Sequence, residues 1–315
     1  VSRFNVSVLL ATALLGVLLW VVLNIARDLA RAPGEPLPLP ADEPVISFDP
    51  GLPRLLTPAD LKNWLASRGE PAEPLLDAYR NWLSERGYPV GRRNLLSTTT
   101  DAPIDLSDQG DPVLITLAGN GNTEAMHELA DRSLETDPLA ALEWYDQAVI
   151  NGSLYAMERM ADLLATLGDP AIDDFVSDPR WQEALLQIRG ATPAPRERAL
   201  AWAIATVTVG GFAIMTPEHA SRITALGEQL DAFGVERACQ TAQDYVLEAA
   251  ATRRARGGAV FSMQIPPIAL SIADPADSIP CNVGSVPPLV SLEQCEANNF
   301  VGPDRKLMTV WVCTQ

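Results

Sequence analysis

Between residues 121 and 156 apolar positions recur with the period of an α-helix. Ala125, Met126, Leu129, Ala130 and Leu134 fall on one stripe, and Leu142, Trp144, Tyr145, Ala148 and Val149 on a second. Asp137-Pro138 lies between them, a pair that stops one helix and caps the next. The pattern predicts a helical hairpin in which neither helix buries its stripe alone. It then restarts: Gly121-x-x-x-Ala125-Met126 returns 31 residues later as Gly152-x-x-x-Ala156-Met157. Repeats of that length signify stacked hairpins. A second echo sets ALEWYDQAVING, residues 141–152, against ALAWAIATVTVG, residues 199–210. It places Trp144 over Trp202 and Gly152 over Gly210 at an offset of 58, close to two periods.

Upstream, Thr57-Pro58-Ala59-Asp60 starts a helix that stops at Gly69, and a second helix ends at Gly87. Trp64 and Trp82 recur on this pair 18 residues apart, too close for a hairpin repeat, and read as core aromatics. A polar connector over residues 97–112 leads into the repeats. Residues 168–198 interrupt the array with proline-bounded segments, where function often resides, so Asp173, Asp174, Phe175 and Trp181 are candidate partner contacts. Trp144 and Trp202, at matched positions, are expected in the core. The segment from Met215 reads as a further helix, and a long helix over residues 235–255 ends in Arg253, Arg254 and Arg256, which suit the negative end of its dipole. After Gly257 helical periodicity ceases, and AVFSMQI and KLMTVWVC read as short strands.

At the N-terminus residues 6–26 form an apolar run about 32 Å long as a helix, enough to cross a bilayer core of about 30 Å. A retained transmembrane anchor over residues 1–26 is the expectation. A cleavable signal is the alternative, with Ala30-x-Ala32 as its site, but the run is long for one and Pro33 follows directly. Arg3 on one side against Arg27 and Arg31 on the other leaves orientation undecided by charge. Residues 27–56 form a proline-rich linker, either an extended spacer or a strap along the domain. The expected divisions are then a helical pair with its connector at 57–114, the repeats at 115–256 and a cysteine-bearing segment at 257–315.

Trp144, Tyr145, Ala148, Gly152 and Ala156, with Trp202 and Gly210 in the second echo, lie on a pattern that resembles the Sel-one-like repeat, a relative of the tetratricopeptide repeat. The match is divergent: Ala130 stands where that family has Gly, Ser133 where it has Tyr, and the interhelix loop is cut to ETDP. The resemblance implies an all-α solenoid of helical hairpins over residues 115–235 and a role in protein–protein interaction, without catalysis or cofactor. The alternative is an ordinary helical bundle with coincidental echoes.

Charge and chemistry narrow the choices. With Asp+Glu 40 against Lys+Arg 23, a net charge of −17 disfavours nucleic acid as a partner. The chain has two histidines, His127 and His219, without metal-ligand or triad spacing, and both read as partly exposed helix residues. For an enzyme acting on the cell wall the candidate carboxylate pairs are Glu143 with Asp146 and Asp173 with Asp174. Cys239, Cys281, Cys295 and Cys313 fit two disulfides, with four reduced thiols as the alternative. Of three possible pairings, Cys281 with Cys295 and Cys239 with Cys313 are favoured by proximity and by the need to clamp the tail to the helices. Disulfides would place the C-terminal domain in the periplasm, on a single-pass inner-membrane protein. The expected function is a membrane-anchored scaffold that binds an envelope protein through its helical groove. The alternatives are the carboxylate enzyme and an accessory subunit of a larger membrane complex. Oligomeric state is left open.

Overall fold

Helix starts are written into the chain as capping residues, and the computed structural model uses nearly all of them. It describes residues 51–88, 106–174, 176, 178–259, 261–281, 288–302 and 305–313. The predicted anchor over residues 1–26, most of the linker and part of the connector lie outside the described residues. Among the described residues ten α-helices follow in order: α1 Pro58–Ser67, α2 Ala72–Ser84, α3 Asp111–Gly119, α4 Thr123–Ser133, α5 Pro138–Ile150, α6 Leu154–Leu167, α7 Pro179–Gly190, α8 Pro195–Gly210, α9 Pro217–Gly227 and α10 Ala232–Ala255. Thr57 and Asp60 form a reciprocal capping box at α1. Asn122, Asp137, Ser153, Asp178, Thr216 and Asp231 cap α4, α5, α6, α7, α9 and α10 through their side chains.

Helix α8 is the centre. Every residue from Ala199 to Gly210 is buried, and α6, α9 and α10 pack around it. Among the described residues its extension Pro195–Ile214 alone is long and apolar enough to cross a membrane, and 89% of that window is buried inside the fold. Helix α10 reaches past α8 to α5 as well, so these three helices surround a common space.

The C-terminal segment forms a three-stranded antiparallel sheet of β1 Ile268–Ile272, β2 Cys295–Val301 and β3 Leu307–Cys313, in the order β1-β3-β2. KLMTVWVC is a strand as expected. AVFSMQI is not, and the first strand starts after Pro266-Pro267 instead. The carbonyls of Ser262 and Gln264 are taken by side chains of α2 and the residues after it. Trp82 Nε1 donates to Gln264 O at 2.7 Å, and Arg86 Nη2 reaches Ser262 O at 3.2 Å and Gln264 O at 3.3 Å. Burial pulls the Arg86 guanidinium down to about 10, against Glu85, and its charge sits 4.0 Å from the Trp82 ring centre. Residues 49–315 form one compact unit, with the expected divisions near 114 and 256 inside it. The end of the linker is a strap: Arg54 bridges Val301 in parallel, and Leu55 is buried.

Two disulfides form, with connectivity other than expected. Cys239 on α10 pairs with Cys281, and Cys295 pairs with Cys313. The β2–β3 register sets Cys295 directly opposite Cys313, which decides that bond. Cys281 is thereby left for α10 to hold down the loop that precedes β2.

Candidate functional site: a groove between three helices

Side chains at helical spacing on α5, α8 and α10 converge on a cavity of about 680 Å³. Helix α5 supplies Leu142, Glu143, Trp144, Asp146, Gln147 and Ile150; α8 supplies Arg198 and Trp202; Tyr245, Glu248, Ala249, Thr252 and Arg256 come from α10 and its cap. Leu142, Ile150, Met160, Trp202 and Ala249 make a buried floor, Trp144, Asp146, Arg198 and Tyr245 are half-buried, and Glu143, Glu248 and Arg256 are exposed at the rim. Trp202 stacks on Tyr245 with ring centres 4.2 Å apart and planes 19° from parallel.

The charges here are unevenly satisfied. Arg256 Nη1 donates to Gln147 Oε1 at 2.7 Å. Glu143, Asp146 and Glu248 have no hydrogen-bond or ion-pair partner among the described residues. Burial raises the Asp146 carboxyl above its ordinary range, Glu248 adds to the shift, and Arg256 opposes it. Burial likewise raises the Tyr245 hydroxyl, with Arg198 opposing. A cleft of this size, apolar at its floor and polar at its walls, has the form of a ligand site, for which volumes of about 300–1,000 Å³ are usual. Among the described residues no group of three or more His, Cys, Asp or Glu is placed to hold a metal ion.

The sequence-predicted residues divide. Tyr145, Ala148, Ala156 and Trp202 are buried. Trp144 is half-buried and, with Trp202, borders the cavity. The two glycines differ as well. Gly152 ends a turn at φ +97° against Arg253, whereas Gly210 is helical and wedged beside Leu154 and Ile214. In the insertion, Asp173 is held by Arg189 through both oxygens at 2.8 Å, and Trp181 donates to Glu135 O at 3.3 Å. Asp174 is exposed, and Phe175 lies outside the described residues. Of the carboxylate pairs, Glu143 and Asp146 reach the cavity, while Asp173 serves its ion pair.

Both histidines correct the expectation of partial exposure: His127 is 5% exposed and His219 1%. His127 Nε2 meets Ser153 Oγ at 2.9 Å, but that oxygen also accepts from Ala156 N as the α6 cap and is fully buried. The pair is thus part of the packing, beyond the reach of a substrate. His219 Nε2 donates to Ala203 O at 3.0 Å, so in the neutral ring Nδ1 accepts from Arg222 Nη1 at 3.2 Å. The same Nδ1 lies 3.5 Å from Glu158 Oε1, which also accepts from the Tyr88 hydroxyl at 2.6 Å. Burial pushes the Glu158 carboxyl up, but a protonated His219 ring, which donates from Nδ1 instead of accepting there, together with Tyr88 and Arg222 outweighs it and holds the group below its usual range.

Glu248, Tyr245 and Arg198 are not singled out in the sequence, and Arg256 is read there only as a partner of the helix dipole. Their signal is present in it: Tyr245, Glu248, Ala249, Thr252 and Arg256 share one helix face, a polar and aromatic stripe beside the buried stripe of Ala238, Ala242 and Val246. Comparison with known protein families, with curated proteins and with solved structures yields no match.

Proposed function

We propose that this protein is an interaction scaffold of the bacterial cell envelope that holds a segment of a partner protein in the α5–α8–α10 groove. The observation that carries the reading is a cleft with a stacked aromatic pair and three carboxylates that have no hydrogen-bond or ion-pair partner among the described residues. Of these Asp146, half-buried and partly removed from water, gains most from a partner. The N-terminal apolar run would be the transmembrane anchor, and two disulfides suit residues 49–315 to an oxidising periplasm. A divergent Sel-one-like solenoid is supported by the matched turns at Gly121, φ +87°, and Gly152, φ +97°. Each turn is followed by a side-chain cap, from Asn122 and Ser153 respectively. The insertion is the weaker candidate surface, because Asp173 and Trp181 are occupied within the molecule.

A photoreactive residue in place of Trp144, compared with one in place of Asp174, tests this in the native membrane. Adducts to another envelope protein are expected from position 144 and not from 174. Adducts from 174 alone would return the contact to the insertion.

A second reading has one observation in its favour: Asp146, its carboxyl raised by burial, shares the cavity with Glu143 and Glu248, the residue types that an acid and base pair needs. Turnover of purified cell-wall glycan by the full chain, abolished in Asp146→Asn, would establish that reading in place of the scaffold.

A further inference from the structure

We infer that the groove recognises a basic side chain, the ammonium of a lysine or the guanidinium of an arginine, presented by a polypeptide segment of the partner. The inference rests on the groove being the binding surface. Its lining carries three carboxylates, Glu143, Asp146 and Glu248, against two guanidiniums, Arg198 and Arg256. Arg256 is engaged by Gln147, and Arg198 lies beside the Tyr245 hydroxyl, whereas the carboxylates have no hydrogen-bond or ion-pair partner among the described residues.

Asp146 is the informative group. It is half-buried, on the same helix as Trp144 and in the same cavity as the Trp202–Tyr245 stack. A carboxylate partly removed from water, with Glu248 and Glu143 in the same cavity and only the exposed Arg256 to offset them, gains from a second cation. An anionic ligand would add to the repulsion. A neutral sugar would use the aromatic rings and add nothing to the partial compensation that Arg256 gives Asp146. A basic side chain satisfies both features, since its charge meets the carboxylates and its stem and head pack against aromatic rings. The net charge of −17 draws such a segment in from a distance.

The test uses the purified full chain and four probes in titration calorimetry: the capped tripeptide Gly-Lys-Gly, its Nε-acetylated form, spermidine and a trimer of N-acetylglucosamine. The lysine peptide should bind at millimolar concentration or below, and acetylation should weaken it at least tenfold. Asp146→Asn should weaken it by a similar factor and Glu248→Gln by less, with melting temperatures showing that both variants fold. Raising the salt from 50 to 500 mM should weaken it too, as expected for a charged contact of this kind. Equal binding of the acetylated peptide, no loss in Asp146→Asn, or no binding of the lysine peptide would overturn the inference. So would spermidine or the sugar binding in place of the peptide. Failure of the underlying reading is distinguishable: adduct formation from position 144 in the membrane would then be absent, whatever the peptides do.

Discussion

At the scale of single residues, Asp146 links the groove to stability. Its folded-state pKa is raised, first by burial and then by Glu248. The folded protein therefore binds that proton more tightly than the unfolded chain, and the contribution is fully present below the ordinary carboxylate pKa of about 3.9. It is lost as pH rises through the raised folded value. Asp146→Asn keeps the group neutral at every pH, so the unliganded variant should melt above the wild type at pH 7. The gap should close below about pH 4. Thermal melts across that range decide it, and a lower melting temperature for the variant at pH 7 would mean that the Asp146 charge is paired. The carboxylate pair Glu143 and Asp146 is visible in the sequence as two acids three apart on a helix. That Glu248 completes the set is not, because it comes from a helix about a hundred residues further on.

At the scale of elements, helix ends explain several residues that the repeat pattern alone misassigns. Arg253, near the end of α10, donates from Nη1 to Ile150 O at 3.1 Å and so satisfies the C-terminus of α5; its Nε donates to Ala259 O. Gly152 makes room for it, since a Cβ there would lie 2.8 Å from Arg253 Nη1 at a φ of +97°. In the sequence Gly152 is a repeat marker and Arg253 a dipole partner; in the fold they are two halves of one joint between α5 and α10. Gly152→Ala should therefore destabilise by about 1–2 kcal/mol from the left-handed backbone alone, and further by displacing the arginine. Gly119→Ala, at a helix end with nothing within 4 Å of the new Cβ, should be neutral or stabilise by up to about 1 kcal/mol. Denaturant unfolding of the two variants checks the contrast, and equal effects would remove the argument for the joint.

At the scale of the whole molecule, the C-terminal segment and the helices hold one another. The C-terminal segment is reached by α2 and the residues after it through Trp82 and Arg86 at Gln264 and Ser262, by the strap at Arg54 on β2, and by Cys239 of α10 at Cys281. The disulfides close loops spanning 18 and 42 residues of sequence separation. On the chain-entropy account these restrain the unfolded chain by about 3 and about 4 kcal/mol respectively. Replacing Cys239 and Cys281 by serine should lower stability more than replacing Cys295 and Cys313, and peptide mapping of unreduced protein should recover the pairs 239–281 and 295–313. A peptide joining 281 to 295 would contradict the sheet register itself.

Local chemistry lies in the sequence and is legible there. Caps such as Asp137 and Asp178, the prolines that follow them, helical periodicity and the strand at KLMTVWVC act within a few residues, so the chain alone determines the helices. It also gathers three of the four cysteines in a segment with little helical periodicity, which favours disulfides over reduced thiols. Pairing between distant segments is another matter. Two strands, β2 and β1, escaped or shifted because strand edges are completed by partners elsewhere, and the disulfide connectivity followed the β2–β3 register rather than nearness in sequence. Likewise Trp144 and Trp202 look equivalent along the chain. Which face of each helix meets protein and which meets a cavity is set by where α10 crosses α5 and α8. Such crossings arise from the summed packing of many side chains, and no single stretch of sequence carries them.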